Sequence, residues 1–251
     1  MKKQQVMSVL VAGLAVGLVG CGKAKPSQPT VAIYHQAKQG TQIWYEVPNH
    51  DKITKNTAIN SIIVLKKNRL TQYYIGDEKK LEDISGKSNH EITESARKWE
   101  IARIKNTYEN PYYGTINNQS SQYNETKSQV AQDKKKAKIK ESQAINTYKV
   151  VAQNSNFTVF QKSNSSKVFR ESLTFNSKEY ENSKVRYDFI STTHSSSVNG
   201  YKFIGYLVTE HVDGASNTVD RKLVQQVSNK NKVTSFDSVK EPGITVKKTE
   251  N

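Results

Sequence analysis

The chain is poor in cysteine, in acidic residues and in long apolar runs. Its 251 residues include one cysteine, Cys21, which excludes an intrachain disulfide and a cysteine metal cluster. Hydrophobic residues are 35% of the whole, and part of that share sits in the first 20 residues. The remainder is therefore polar enough to expect some disordered stretches. Thirteen tyrosines keep it out of the fully disordered class. The longest apolar run, Val6 to Val19, is about 14 residues, short of the roughly 20 that span a bilayer. Only 23 Asp and Glu face 38 Lys and Arg, giving a formal charge of +15.

The N-terminus has the anatomy of a secretory signal: Lys2 and Lys3, then the apolar run, then small residues. Leu18-Val19-Gly20-Cys21 resembles the lipobox of bacterial lipoproteins. In that class a diacylglycerol is attached to the cysteine and the preceding peptide is removed. The resemblance implies a signal over residues 1–20, a mature chain starting at Cys21 and attachment to membrane lipid through the Cys21 sulfur. Two acyl chains anchor stably where one does not. The expected location is the outer face of a Gram-positive cytoplasmic membrane.

Without Lys2 and Lys3 the mature chain carries +13. Strong basicity favours polyanions, and outside a cell these are phospholipid headgroups and anionic wall polymers such as teichoic acids. Nucleic acid is not an expected partner. The competing reading is that scattered lysines only keep the protein soluble.

Residues 21–40, with Lys23, Lys25, Pro26 and Pro29, read as a lipidated flexible tether. Residues 41–115 read as a small antiparallel sheet with a packed helix. Its strands are Thr41 to Val47, Ser61 to Leu65 and Leu70 to Ile75. The helix opens on a Ser88-Asn89-His90-Glu91 capping box and carries Ile92, Ala96 and Trp99 on one face. Residues 116–153 read as a polar helical spacer, with helix from about Gln122 to Gln153. Its Val130, Ala137, Ala144 and Val151 recur every seven residues, but Asp133, Lys140 and Thr147 occupy the complementary positions, which excludes a coiled coil. The lysines from Lys134 to Lys140 spread round the helix and read as a solvated face. Residues 154–251 read as a C-terminal antiparallel β region, with turns at Asn199-Gly200 and Asp213-Gly214. Tyr201 to Val208 is apolar in both phases, so it is expected to be central and covered on both faces. The expected class is α+β, with the two sheets separate.

No motif for catalysis or metal binding is complete. His90-Glu91-Ile92-Thr93-Glu94 lacks the second histidine of H-E-x-x-H. Gly86-Lys87-Ser88 has Leu81 where a phosphate loop needs glycine, and it lacks the last glycine of G-x-S-x-G. His35, His50, His194 and His211 are dispersed, and His194 beside Ser195 reads as loop. The tyrosines of Tyr112-Tyr113-Gly114 and the strands read as core or rim. No catalytic residue, metal ligand or cofactor is assigned, and Cys21 is the one site residue.

Ile43-Trp44-Tyr45-Glu46-Val47, Ile62-Ile63-Val64-Leu65, Leu81-Glu82-Asp83-Ile84-Ser85 leading into Ser88 to Ile92, and Gly243-Ile244-Thr245-Val246 together resemble a family of uncharacterised lipoproteins from lactic acid bacteria and related Firmicutes. The resemblance implies the anchor and no activity. The expected function is a non-enzymatic surface-binding or envelope-associated module. A solute-binding component of a transporter, which would show repeated strand and helix alternation, is the alternative. An envelope hydrolase with dispersed acidic residues and histidine is the third reading.

Overall fold

The computed structural model describes residues 30–49, 52–109, 127–165, 167–180, 182–192, 195–228 and 232–249. The signal, Cys21, His50, Tyr112-Tyr113-Gly114 and His194 lie outside the described residues.

The chain enters through β1 (Thr30–Val31) and α1 (Ile33–Gln39), then three antiparallel strands follow, β2 (Gln42–Pro48), β3 (Ala58–Lys66) and β4 (Arg69–Lys80). Next come α2 (Leu81–Ile84), α3 (Asn89–Glu109) and α4 (Lys127–Thr147). The remaining strands are β5 (Gln153–Asn154), β6 (Asn156–Lys162), β7 (Val168–Ser177), β8 (Ser183–Thr192), β9 (Ser196–Val198), β10 (Tyr201–Val212), β11 (Thr218–Val227), β12 (Val233–Thr234) and β13 (Thr245–Thr249). The class is mixed α and β with antiparallel pairing dominant.

Two separate sheets were expected for the N-terminal and C-terminal strands, but both sets share one 11-stranded sheet, because β11 pairs with β2 and joins them. The sheet also returns on itself. β5 pairs with β4 and β6 pairs with β7, and a single residue, Ser155, separates β5 from β6; its N–H donates to the Asn68 carbonyl at 2.9 Å. One continuous segment thus bonds to β4 first and β7 next, closing an antiparallel barrel in the order β2, β3, β4, β5/β6, β7, β8, β10, β11. The inward residues form one core. Trp44, Ile63, Leu65, Leu70, Leu173, Tyr187, Phe189, Tyr206 and Leu223 come from strands all round it. Trp44 and Phe189 both lie against Tyr206, with ring centroids 5.6 and 5.0 Å away.

A second core lies outside the barrel wall. Tyr45, Ile62, Tyr73, Phe203 and Val224 point outward from their strands and are covered by Leu81, Ile84, Ile92 and Ala96 of α2 and α3. Trp99 packs at its rim. Because β10 supplies Ile204 and Tyr206 to the inner core and Phe203 to the outer one, it is covered on both faces, as its double apolar phase predicts. The α3 start also follows the sequence. Ser88 Oγ accepts from the Glu91 N–H at 3.3 Å, and the Glu91 carboxylate accepts from the Ser88 N–H at 2.8 Å.

Residues 30–40 correct the tether. They form β1 and α1, with Val31, Ile33, Tyr34 and Ala37 in the inner core. β1 pairs in parallel with β12, and α1 closes the barrel end that holds the β3–β4 turn, where the Lys67 N–H donates to the Ala37 carbonyl. The spacer helix also ends earlier than expected, at Thr147, and Gln153 belongs to β5.

Beyond Leu70 no bridge joins β4 to a neighbour on its free edge, and α3 supplies the missing partners. Glu100 accepts from the Tyr74 N–H at 3.0 Å, and Arg103 Nε donates to the Tyr74 carbonyl at 2.8 Å. Lys178 pairs with Glu100 at 3.0 Å.

Candidate functional site

Charged side chains converge inside the barrel at the end opposite α1. In β2 the inward phase that carries Trp44 continues to Glu46; in β10 Tyr206 and Val208 lead to Glu210, and in β11 Leu223 is preceded by Arg221. The β7–β8 connection adds Glu179 and Tyr180, and β8 adds Tyr187. Arg221 Nε lies 2.7 Å from Glu210 Oε2 and 2.9 Å from Glu46 Oε1, and its Nη2 is 3.1 Å from Glu179 Oε1. The Tyr187 hydroxyl donates to Glu46 Oε2 at 2.8 Å.

Three carboxylates around one guanidinium leave excess negative charge in a dry place. Burial is the largest effect on Glu46 and raises its pKa to about 7; Arg221 opposes the rise and Glu210 adds to it. Glu179 is raised by the same burial. Burial works against the charged form of Arg221, yet Glu46 and Glu210 hold its pKa above the usual value. Oxygens of Glu46, Glu179 and Glu210 lie within 4.8 Å of one another, which is the spacing of metal ligands. Arg221 already contacts all three carboxylates and serves as their cation. Glu46 and Glu210 are fully buried in this network, while Arg221 and Glu179 reach its rim.

At the α1 end, Asp237 accepts from the Tyr34 and His35 N–H groups at 2.7 and 2.8 Å, and its own N–H donates to Glu171 Oε2 at 3.1 Å. Burial and the Asp237 charge raise the Glu171 pKa well above the carboxylate range. Burial raises Asp237 as well, while the Tyr34 and His35 N–H groups favour its charged form.

A third cluster is open to solvent. A pocket of about 450 Å³ on the outside of β7, β8 and β10 is lined by Phe169, Arg170, Asp188, Ile190, Thr209 and His211. Asp188 is buried and surrounded by two arginines and a histidine. Arg186 Nε reaches its Oδ1 at 3.0 Å, His211 Nε2 its Oδ2 at 3.1 Å, and Arg170 Nη1 the same oxygen at 3.9 Å. The Arg170 guanidinium also stacks 4.0 Å from the Phe160 ring centroid, while its Nε is buried without a hydrogen-bond partner.

The residues weighed in the sequence do not meet at any of these places. Glu91 serves Ser88 as its cap partner. His35 Nδ1 lies 2.8 Å from Glu241 Oε2. Gly86 donates its N–H to Gln226 Oε1 at 2.9 Å, and Lys87 lies over the Trp99 ring. Among the described histidines, His211 brings its side chain to one of these clusters, and His35 contributes its backbone N–H to Asp237. Glu46, Glu210 and Arg221 escaped the sequence reading, although a charged residue in the inward phase of an apolar strand was the available signal. Comparison of the chain with models of known families, with curated proteins and with solved structures finds no match.

Proposed function

We propose that the chain is a lipid-anchored, non-enzymatic envelope protein, attached through Cys21 and presenting a cationic barrel to anionic polymers outside the cytoplasmic membrane. The observation that carries this reading is the segregation of charge. Among the described residues six carboxylates are buried, those of Glu46, Glu100, Glu171, Asp188, Glu210 and Asp237, against one buried guanidinium, that of Arg221. Six of the 23 acids that offset the lysines in the formal count are inside, against one arginine, so the exterior is more cationic than the +13 of the mature chain conveys. Lys135, Lys136, Lys138 and Lys140 of α4 and Lys247 and Lys248 of β13 stand in solvent. Such a surface attracts polyanions in a salt-dependent way.

The transporter alternative calls for doubly wound lobes, whereas here eleven of the described strands share one mainly antiparallel sheet, with the long helices between β4 and β5. For the hydrolase reading, the strongest candidate for acid chemistry, Glu46 with Glu210, is buried beneath Arg221 and Glu179.

The test is retention of the mature chain, residues 22–251, on purified Gram-positive walls with and without teichoic acid across a salt series. Retention that falls with salt and with teichoic acid removal is expected. Retention that ignores both, or none at low salt, overturns the polyanion reading. The anchor is tested separately: Cys21→Ser is expected to leave the membrane fraction.

A further inference from the structure

Phe169 and Ile190 are both bulge residues. On β7 the register with β6 steps from Arg170 opposite Phe160 to Val168 opposite Gln161, leaving Phe169 as the extra residue. On β8 the register with β10 steps from Phe189 opposite Val208 to Ser191 opposite Leu207, leaving Ile190 as the extra one. A bulge re-aims a side chain that regular pleating would fix, and bulges concentrate beside functional sites. Here two of them, on adjacent strands, turn large apolar side chains outward at one pocket. Phe169 is 40% exposed and Ile190 48%. Beside them Arg170, Arg186 and His211 gather about the single carboxylate of Asp188, so the polar part of the pocket carries excess positive charge.

We infer that this face is a membrane-contact site for anionic phospholipid, with Arg170 and Arg186 taking the headgroup phosphate and Phe169 and Ile190 entering the interfacial hydrocarbon. The inference rests on the reading of Cys21 as a lipid anchor. Phe169 and Ile190 lie at the α1 end of this face, and His211, next to Glu210, lies at its other end. Val159, one position before Phe160 on β6, pairs with Glu171, and Glu171 accepts from Asp237, the residue that caps α1 next to β1. The described residues begin at Thr30, nine peptide steps from Cys21 and about 30 Å from it at full extension. A polyol phosphate polymer would match the arginines but has no hydrocarbon for Phe169 and Ile190, and that mismatch favours lipid. Basic residues at an anionic membrane surface and buried apolar side chains both strengthen such contact.

The test uses the mature chain 22–251 without its lipid, so that a failed anchor does not enter the readout; every residue of both cores lies beyond position 30, so this chain retains both cores. Its co-sedimentation is measured with vesicles of equimolar phosphatidylglycerol and phosphatidylcholine, and with phosphatidylcholine alone. The parent is expected to partition only to the anionic vesicles. The pairs Phe169→Ser with Ile190→Ser, and Arg170→Gln with Arg186→Gln, should each lower partitioning about tenfold, with circular dichroism unchanged at the temperature of the assay; the arginine pair, whose guanidinium groups also neutralise Asp188, is expected to melt lower. A control on α4, Lys135→Gln with Lys138→Gln and Lys140→Gln, should stay within about twofold. Absent parent binding, equal binding by both pairs, or loss confined to the α4 control overturns the assignment. So does tight binding of soluble oligo(glycerol phosphate) that ignores Phe169→Ser with Ile190→Ser, which would mark a phosphate site with no lipid role. Wall retention is read on separate material, so either result stands without the other.

Discussion

Arg221 is the residue on which the barrel's closed end depends most. Its guanidinium faces Glu46, Glu210 and Glu179 at 3.1 Å or less, and removing one partner of a buried ionic group typically costs about 3–5 kcal/mol. Arg221→Met is expected to lose that much in denaturant unfolding, and adding Glu46→Gln to restore part of it. Glu46 also sets a pH dependence. Its pKa is near the ordinary carboxyl value when unfolded and about 7 when folded, so the folded state holds the proton more tightly. The associated stability, on the order of 3 kcal/mol, is fully present below about pH 4.5 and is lost as pH rises through 7. The melting temperature should therefore fall between pH 5 and pH 8. Glu171 acts in the same direction, so the informative quantity is the difference between parent and Glu46→Gln. If both show the same slope, Glu46 is not the proton acceptor.

At the scale of elements, local signals in the sequence translated directly. The Ser88 box starts α3. Asn199 and Gly200 both have positive φ, the requirement of a type I′ turn, and β9 pairs with β10 across them. α1 was hidden because seven residues following a proline-containing polar stretch give little periodicity, although Ile33, Tyr34 and Ala37 do fall on one helical face. Gly205 shows what β10 needs from its neighbour. A Cβ there would collide with the Leu223 carbonyl oxygen of β11, so Gly205→Ala is expected to cost about 1–3 kcal/mol and to weaken hydrogen-exchange protection along β10 and β11. Unchanged protection would mean that the strands separate without cost. The bulges at Phe169 and Ile190 had no counterpart in the sequence, since they exist only relative to partner strands.

For the whole molecule, the illegible part was closure. Hairpins such as β3–β4 join residues a few positions apart, whereas β11–β2 joins Arg221 to Pro48 and β1–β12 joins Thr30 to Val233; no period or turn signal encodes a pairing at that distance. The structure consequently predicts one cooperative unit where the sequence indicated separate domains. Trp44 lies inside the barrel and Trp99 on α3, so tryptophan fluorescence reports on both layers. Fluorescence and far-ultraviolet dichroism should give coincident guanidinium transitions. Two resolved transitions would restore the two-domain picture.

The late partner of β2 also affects how the protein comes into being. Synthesis delivers β2 first and β11 more than 170 residues later, so until then the nascent chain presents an unpaired, apolar strand edge, the kind that invites aggregation. Folding dominated by such distant contacts is slow. The period between emergence and closure is therefore when this protein is most dependent on a holding chaperone, and most exposed to proteolysis.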